Sequence, residues 1–313
     1  MRSARRSPDD APYFYTMYGL RIQSEIDLPL VRIDPPTATP IDVRIRIGQV
    51  PAPRSDQVYQ QLDDGGWLFH LAQVADYYVR DGREITMQLH RHWNSFAPRR
   101  HLMSSVIPLV LLERDILLLH GSAVRTTQGA VLFIGPSGAG KSTTASLLTK
   151  EGYSVITDDV CALTIDADGH LWITQGYPYL KLSQSVLRRF FDRDLETLAP
   201  DIGTLANRKY NLPYPRPSQA RHNVRHIFHL QPADDATAFR TETISGFDKI
   251  AYLSANLHKH KIALDIGSSQ KRHVAVMTIA QAVPMHQLIR PRQYDHVDTQ
   301  QLAQLVNQHL VDC

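Results

Sequence analysis

The chain has 313 residues, of which 43% are hydrophobic and 21% charged, and its 34 basic and 31 acidic side chains leave a net charge of +3. That length accommodates one large domain or two ordinary ones, and the near-balance of charge lacks the basic excess expected of a nucleic-acid binder. Two cysteines, Cys161 and Cys313, build neither a disulfide framework nor a zinc spacing, and a reducing cytoplasm fits them best.

The opening residues are basic and then acidic with no apolar run behind them, so no secretory signal is expected, and residues 1–12 read as frayed. From Tyr13 to about His92 the pattern is that of strands. In the segment 41–47, Ile41, Val43, Ile45 and Ile47 alternate with Asp42, Arg44 and Arg46, the period of a half-buried strand. Segments 67–71, 76–80 and 84–89 read likewise, with turn signals at Asp63–Gly66 and Asp81-Gly82. A helix is predicted over 98–115, kinked or broken at Pro108. Its apolar stretch Leu102–Leu112 is too short to span a bilayer, so no membrane partner is expected. The division this suggests is a β-rich N-terminal domain, 1–97, and an α/β domain, 98–313.

The second domain opens with predicted strands at 117–124 and 130–134. Gly135, Pro136, Ser137, Gly138, Ala139, Gly140, Lys141 and Ser142 then match G-x-x-x-x-G-K-[ST]. Glycines let successive backbone N–H groups turn inward as an anion nest, and the helix that follows points its positive end at the same place. Lys141 adds a point charge for phosphate. Ser142 offers Mg²⁺ a hard oxygen, and Thr143 opens the helix behind it. Chance alone would match the four fixed positions in roughly one chain of this length in a hundred. The apolar β-branched run before the loop and the helix-forming run after it make a chance match rarer still.

Asp158 and Asp159 follow a hydrophobic strand at 154–157. One acid beside such a loop serves the metal, and a second can accept the proton of an incoming hydroxyl. His120, in the segment ILLLHGSA, stands upstream at a predicted strand end, where a histidine is more often structural. Lys209 is a further candidate for phosphate or acceptor contact, with a solvated charge as the plain alternative. His222, His226 and His229 fall at i, i+4 and i+7, but the run reads as a strand on which they share no face, so no metal site is assigned to them. His258 and His260 read as surface residues, and Tyr177-Pro178-Tyr179 as either cleft lining or a turn.

LLLHGSAV, GAVLFIGPSGAGKSTTASLL and EGYSVITDDV together resemble the HPr kinase/phosphorylase family, over about Leu117–Ala162, with a weaker likeness through Ala282–Pro291 to the C-terminus. The segment Tyr18–Pro29 looks like HPr-kinase-related proteins of peptide-modification clusters, which include lasso-peptide precursor kinases. The resemblance implies a P-loop kinase core of the HPr kinase/phosphoenolpyruvate carboxykinase type, α/β with a mixed sheet. It also implies Asp159 as proton acceptor, Asp158 as the adjacent acid and metal partner of Ser142, and His120 as an active-site histidine. Arg221 or Arg225 would match a later arginine of the family. The family's metal-binding glutamate has no counterpart in Tyr177–Val186, so phosphorolysis and HPr as acceptor are not carried over. The reading is therefore an ATP- and Mg²⁺-dependent serine kinase of a peptide or protein, plausibly acting on the C-terminal serine of a lasso-peptide precursor. A small-metabolite kinase and a non-catalytic ATP-binding regulator are the alternatives, and a homo-oligomer stays open.

Overall fold

The computed structural model describes residues 11–36, 39–90, 96–191, 198, 209–215, 221–258, 266–291 and 299–311. Trp93, Asn207, Arg208, His260 and most of the N-terminal segment that reads as frayed lie outside them. The chain divides into two compact units, 1–115 and 116–313.

The first unit carries eight strands, β1 (Tyr13–Met17), β2 (Leu20–Ser24), β3 (Val31–Arg32), β4 (Val43–Ile47), β5 (Tyr59–Gln61), β6 (Trp67–Leu71), β7 (Ala75–Arg80) and β8 (Glu84–Leu89). They form one sheet in the order β3-β1-β2-β4-β8-β7-β6-β5. Alternation sets which side chains go inward: Val43 and Ile45 are buried, whereas Ile47 at the strand end is exposed. Positive φ at both Tyr18 and Gly19, and at both Asp81 and Gly82, makes the tight turns that join β1 to β2 and β7 to β8. The Tyr18-Gly19 motif is thus a hairpin turn.

The predicted helix at 98–115 appears as α1 (Phe96–His101), a π-helical turn (Leu102–Val106) and α2 (Ile107–Glu113). Pro108 stands at the start of α2, where its missing N–H costs nothing, and the π turn absorbs the break. These helices fall in the first unit, which ends at residue 115 and not at residue 97 where the sequence places the boundary. The Tyr77 hydroxyl donates to the Pro98 carbonyl, Gly82 N–H donates to Glu113, and the Arg114 guanidinium donates to the carbonyls of Gly82 and Asp42.

The second unit contains β9 (Leu117–Arg125), β10 (Ala130–Ile134), α3 (Lys141–Leu148), β11 (Ser154–Ile165), β12 (Leu171–Thr174), β13 (Tyr179–Ser183), α4 (Gln184–Phe191), β14 (Lys209–Pro213), β15 (Arg221–Ala233), β16 (Arg240–Ile244), α5 (Gly246–Ala255), α6 (Ser269–Ala282), β17 (Met285–Pro291) and α7 (Thr299–Val311). Its seven-stranded sheet runs β10-β9-β11-β12-β15-β17-β16. The sheet is mixed: β10–β15 and β15–β17 are parallel and the other pairs antiparallel. One apolar layer unites Phe133, Phe228 and Leu288 with Leu147 of α3, Leu187 of α4 and Val306 of α7. The other unites Leu132, Ile227 and Met285 with Leu253 of α5 and Ile279 of α6. Strands buried on both faces explain the continuous apolar runs of β9 and β10. Among the described residues, no helix is long and apolar enough to cross a membrane.

Candidate active site

The glycine-rich loop joins β10 to α3. Gly135, Gly138 and Gly140 have φ of 143°, 83° and 93°, a region that disfavours side chains. Gly140 caps α3 with no side-chain hydrogen bond, so the N–H groups of the first turn are not consumed by a capping side chain. Two distant residues hold the loop from behind. The Asn256 side-chain oxygen accepts from Gly135 N–H at 2.8 Å, and the buried Arg290 donates through Nε to the Ala139 carbonyl at 2.8 Å. The segment after α5 also runs along β9: His120 N–H donates to the Asn256 carbonyl and His258 N–H to the Leu118 carbonyl.

Lys141 lies within the loop's curve, its ammonium donating to the carbonyls of Gly135 and Pro136 at 2.8 and 3.0 Å. Burial lowers it to about 8, against the pull of Asp158 and Asp159. Ser142 and Thr143 follow in the first turn, both half-buried.

The two acids stand within β11 and not at a strand end as predicted. On a regular strand, neighbours face opposite sides. Asp159 takes a left-handed φ of 72°, which breaks the alternation, and both carboxylates reach one cleft. Asp158 is 3% exposed; its two oxygens accept from the Ser122 hydroxyl at 2.6 Å and from Lys181 N–H at 2.9 Å. The Asp159 side chain is 27% exposed and pairs with the Lys181 ammonium at 2.6 Å, with His120 Nδ1 at 3.4 Å. Burial would raise its carboxyl, but Lys181, His258 and His120 outweigh burial and hold it well below the usual carboxylate range. Burial and Lys141 lower His120 in turn, and its Nδ1 also meets the Asp159 carbonyl at 3.0 Å.

One cleft of about 280 Å³ is lined by the predicted His120, Ser137, Gly138, Gly140, Lys141, Ser142, Thr143, Asp158, Asp159 and Lys209. Gly135 and Ala139 are buried beneath it and Pro136 is exposed on the loop. Lys181 and Ser183 complete the lining. They come from β13, whose ribbon with β14 pairs Ser183 with Lys209.

Arg221 and Arg225 are not part of this cleft. β15 runs parallel to β10, with Val224 opposite Ala130 and His229 opposite Ile134, so both arginines lie toward the end away from the loop. Arg221 instead stacks on Trp172 at 4.0 Å. His258 is buried beside His120, with ring centroids 6.1 Å apart, which corrects its reading as a surface residue. Tyr177 packs on Tyr179 and its carbonyl accepts from the Tyr214 hydroxyl, so that turn braces the core instead of lining the cleft. Sequence reading passed over Lys181, Asn256 and Arg290. Lys181 had a signal: it and Ser183 at i and i+2 alternate with the apolar Leu180 and Leu182, a polar face on a half-buried strand. Asn256 and Arg290 had none.

The donor set fits a metal–triphosphate group. A left-handed glycine loop, an ammonium inside it, a hydroxyl at the helix start and a buried carboxylate are the ligands that phosphate oxygens and a hard cation require. No protein-family model and no curated protein matches the chain. Among solved structures, the chain is similar to the Hpr(Ser) kinase/phosphatase from Coxiella burnetii, at 14% identity and a TM-score of 0.32, over 62% of this chain and 91% of that one. A TM-score that low does not establish a shared fold, and the functional reading rests on the geometry of the cleft.

Proposed function

We propose that the chain is an ATP-dependent phosphotransferase that moves the γ-phosphoryl group to a serine hydroxyl of a peptide or protein. The observation that carries this reading is the meeting of the glycine loop, Lys141 and the paired carboxylates in one cleft. Backbone N–H groups of the loop and of the first turn of α3 receive phosphate oxygens, and Lys141 adds a fixed charge. Ser142 and Asp158 would hold Mg²⁺, which when bound neutralises charge on the phosphate oxygens.

Asp159 is the one of the pair open to an acceptor, because its side chain is 27% exposed whereas Asp158 is 3% exposed. The acceptor oxygen bonds to the γ-phosphorus as the bond to the β–γ bridging oxygen breaks. ADP leaves with that electron pair, and the hydroxyl proton passes to Asp159. A carboxylate held this acidic is a weak base, so the proton moves late, once the new P–O bond has made the hydroxyl acidic. Lys181 keeps Asp159 ionised and aimed. The acceptor class follows the resemblance of residues 18–29 and 117–162, which implies a precursor peptide ending in serine, a lasso-peptide precursor among them.

The test is incubation of the purified chain with ATP, Mg²⁺ and a peptide ending in serine. The expected product is heavier by one phosphoryl group. Asp159→Asn should keep nucleotide binding and lose about 10²- to 10⁴-fold in rate. Nucleotide binding with no ADP release beside any peptide or small hydroxyl compound would leave a nucleotide-binding regulator instead.

A further inference from the structure

Three histidines distant in sequence meet on the face of the sheet that α7 covers. His226 lies on β15, His286 on β17 and His309 in the last turn of α7. One ring nitrogen from each lies within 4.8 Å of the others. The ring centroids are 4.9, 5.2 and 4.1 Å apart, and His286 Nδ1 stands 3.0 Å from His226 Nε2. The outer nitrogens are held by β16: His286 Nε2 meets the Thr243 hydroxyl at 3.2 Å and His309 Nε2 meets the Thr241 hydroxyl at 3.0 Å. None of the three histidines lines the cleft of the candidate active site.

From this geometry we infer a zinc site formed by His226, His286 and His309, which ties α7 to the sheet. A tetrahedral ion with Zn–N bonds of about 2.0–2.1 Å sets its nitrogens roughly 3.4 Å apart. The 3.0 Å pair and the 4.8 Å limit bracket that spacing. A second hydrogen bond on the far nitrogen of a ligating imidazole fixes its tautomer and its direction, and Thr241 and Thr243 supply two such bonds. A purely packing role explains the arrangement poorly. His226 is 1% exposed and its ring meets two other imidazoles whose nitrogens converge, where apolar side chains would fill the space with no polar atoms to satisfy.

An all-imidazole set selects zinc and other borderline ions over Mg²⁺ and Ca²⁺, which demand oxygen. The site is therefore chemically distinct from the Mg²⁺ ligands proposed in the cleft and stands whether or not the chain transfers phosphate. Its partly exposed rings, His286 and His309, leave water within reach as a fourth ligand.

The full chain, stripped with a chelator and dialysed, is titrated with Zn²⁺ by calorimetry and analysed for bound metal. The expected result is one zinc per chain and a higher Tm, with neither effect from Mg²⁺. His309→Gln and His286→Gln should each abolish stoichiometric uptake while leaving the far-UV spectrum unchanged. Thr241→Val, which keeps all three ligands, should weaken zinc binding about 10- to 100-fold. No stoichiometric uptake by the folded parent chain would overturn the inference. So would uptake that persists in both histidine variants, or that vanishes only in His170→Ala, whose ring stands with Asp166 and Asp168 in a separate cluster.

Discussion

Asp159 holds a backbone conformation that costs a non-glycine residue about 1–3 kcal/mol, and aspartate and asparagine are among the residues that tolerate it. Asp159→Asn therefore isolates the chemistry, and its Tm should stay close to that of the parent. Lys181 sets the acidity of Asp159, so Lys181→Met should raise the Asp159 pKa. Depressed carboxyls are ionised down to low pH; without the cation, the acidic limb of the pH–rate profile should move to higher pH and kcat should fall. An unmoved limb would show that Lys181 does not control the carboxyl. Lys141 has the opposite sign. Its folded pKa of about 8 lies below the unfolded value, so its charge opposes folding at neutral pH and the penalty fades as pH rises through about 8. Lys141→Met should abolish nucleotide binding yet be at least as stable at pH 7, by up to about 3 kcal/mol in thermal or urea unfolding. In the parent, nucleotide Kd should weaken as pH rises past about 8.

Between β9 and β10 the backbones approach so closely that a Cβ at Gly121 would stand 2.8 Å from the Phe133 carbonyl oxygen. Backbone cannot yield as a side chain can, so Gly121→Ala should cost about 1–3 kcal/mol of stability, read as a lower midpoint in urea. β17 acts at a distance. It carries Arg290, whose guanidinium reaches the Ala139 carbonyl inside the loop. Arg290→Ala removes a buried charged donor and frees that peptide. Nucleotide affinity should fall while the rate at saturating ATP changes less, measured as a KM effect larger than the kcat effect. The β13–β14 ribbon is the third device: its pairing of Ser183 with Lys209 brings two chain segments to the mouth of one cleft.

All the candidate active-site residues and the three histidines belong to the unit spanning 116–313, which has its own two apolar layers. A fragment of those residues should fold cooperatively and bind nucleotide with a Kd within a few-fold of the full chain, measured by calorimetry. Failure to fold would show that its core depends on the first unit. The first unit is a sheet with its own helices, α1 and α2, and carries none of the lining of the cleft.

Period-two alternation and turn chemistry made the hairpins of the first unit legible, because φ > 0 at Asp81-Gly82 is a local property. The glycine loop was legible for the same reason: its left-handed turns at Gly135, Gly138 and Gly140 are set by consecutive residues and need no distant partner. What only the tertiary structure decided is everything assembled across strands. Both acids reach one cleft because Asp159 leaves the β region, a choice no spacing reveals. Lys181 pairs with Asp159 from 22 residues away. Asn256 and Arg290 reach the loop from 121 and 151 residues away. His226, His286 and His309 converge because parallel pairing of β15 with β17 and the packing of α7 set them side by side. Local geometry is written in neighbouring residues; proximity between distant ones is settled only when the sheet order and helix packing are settled.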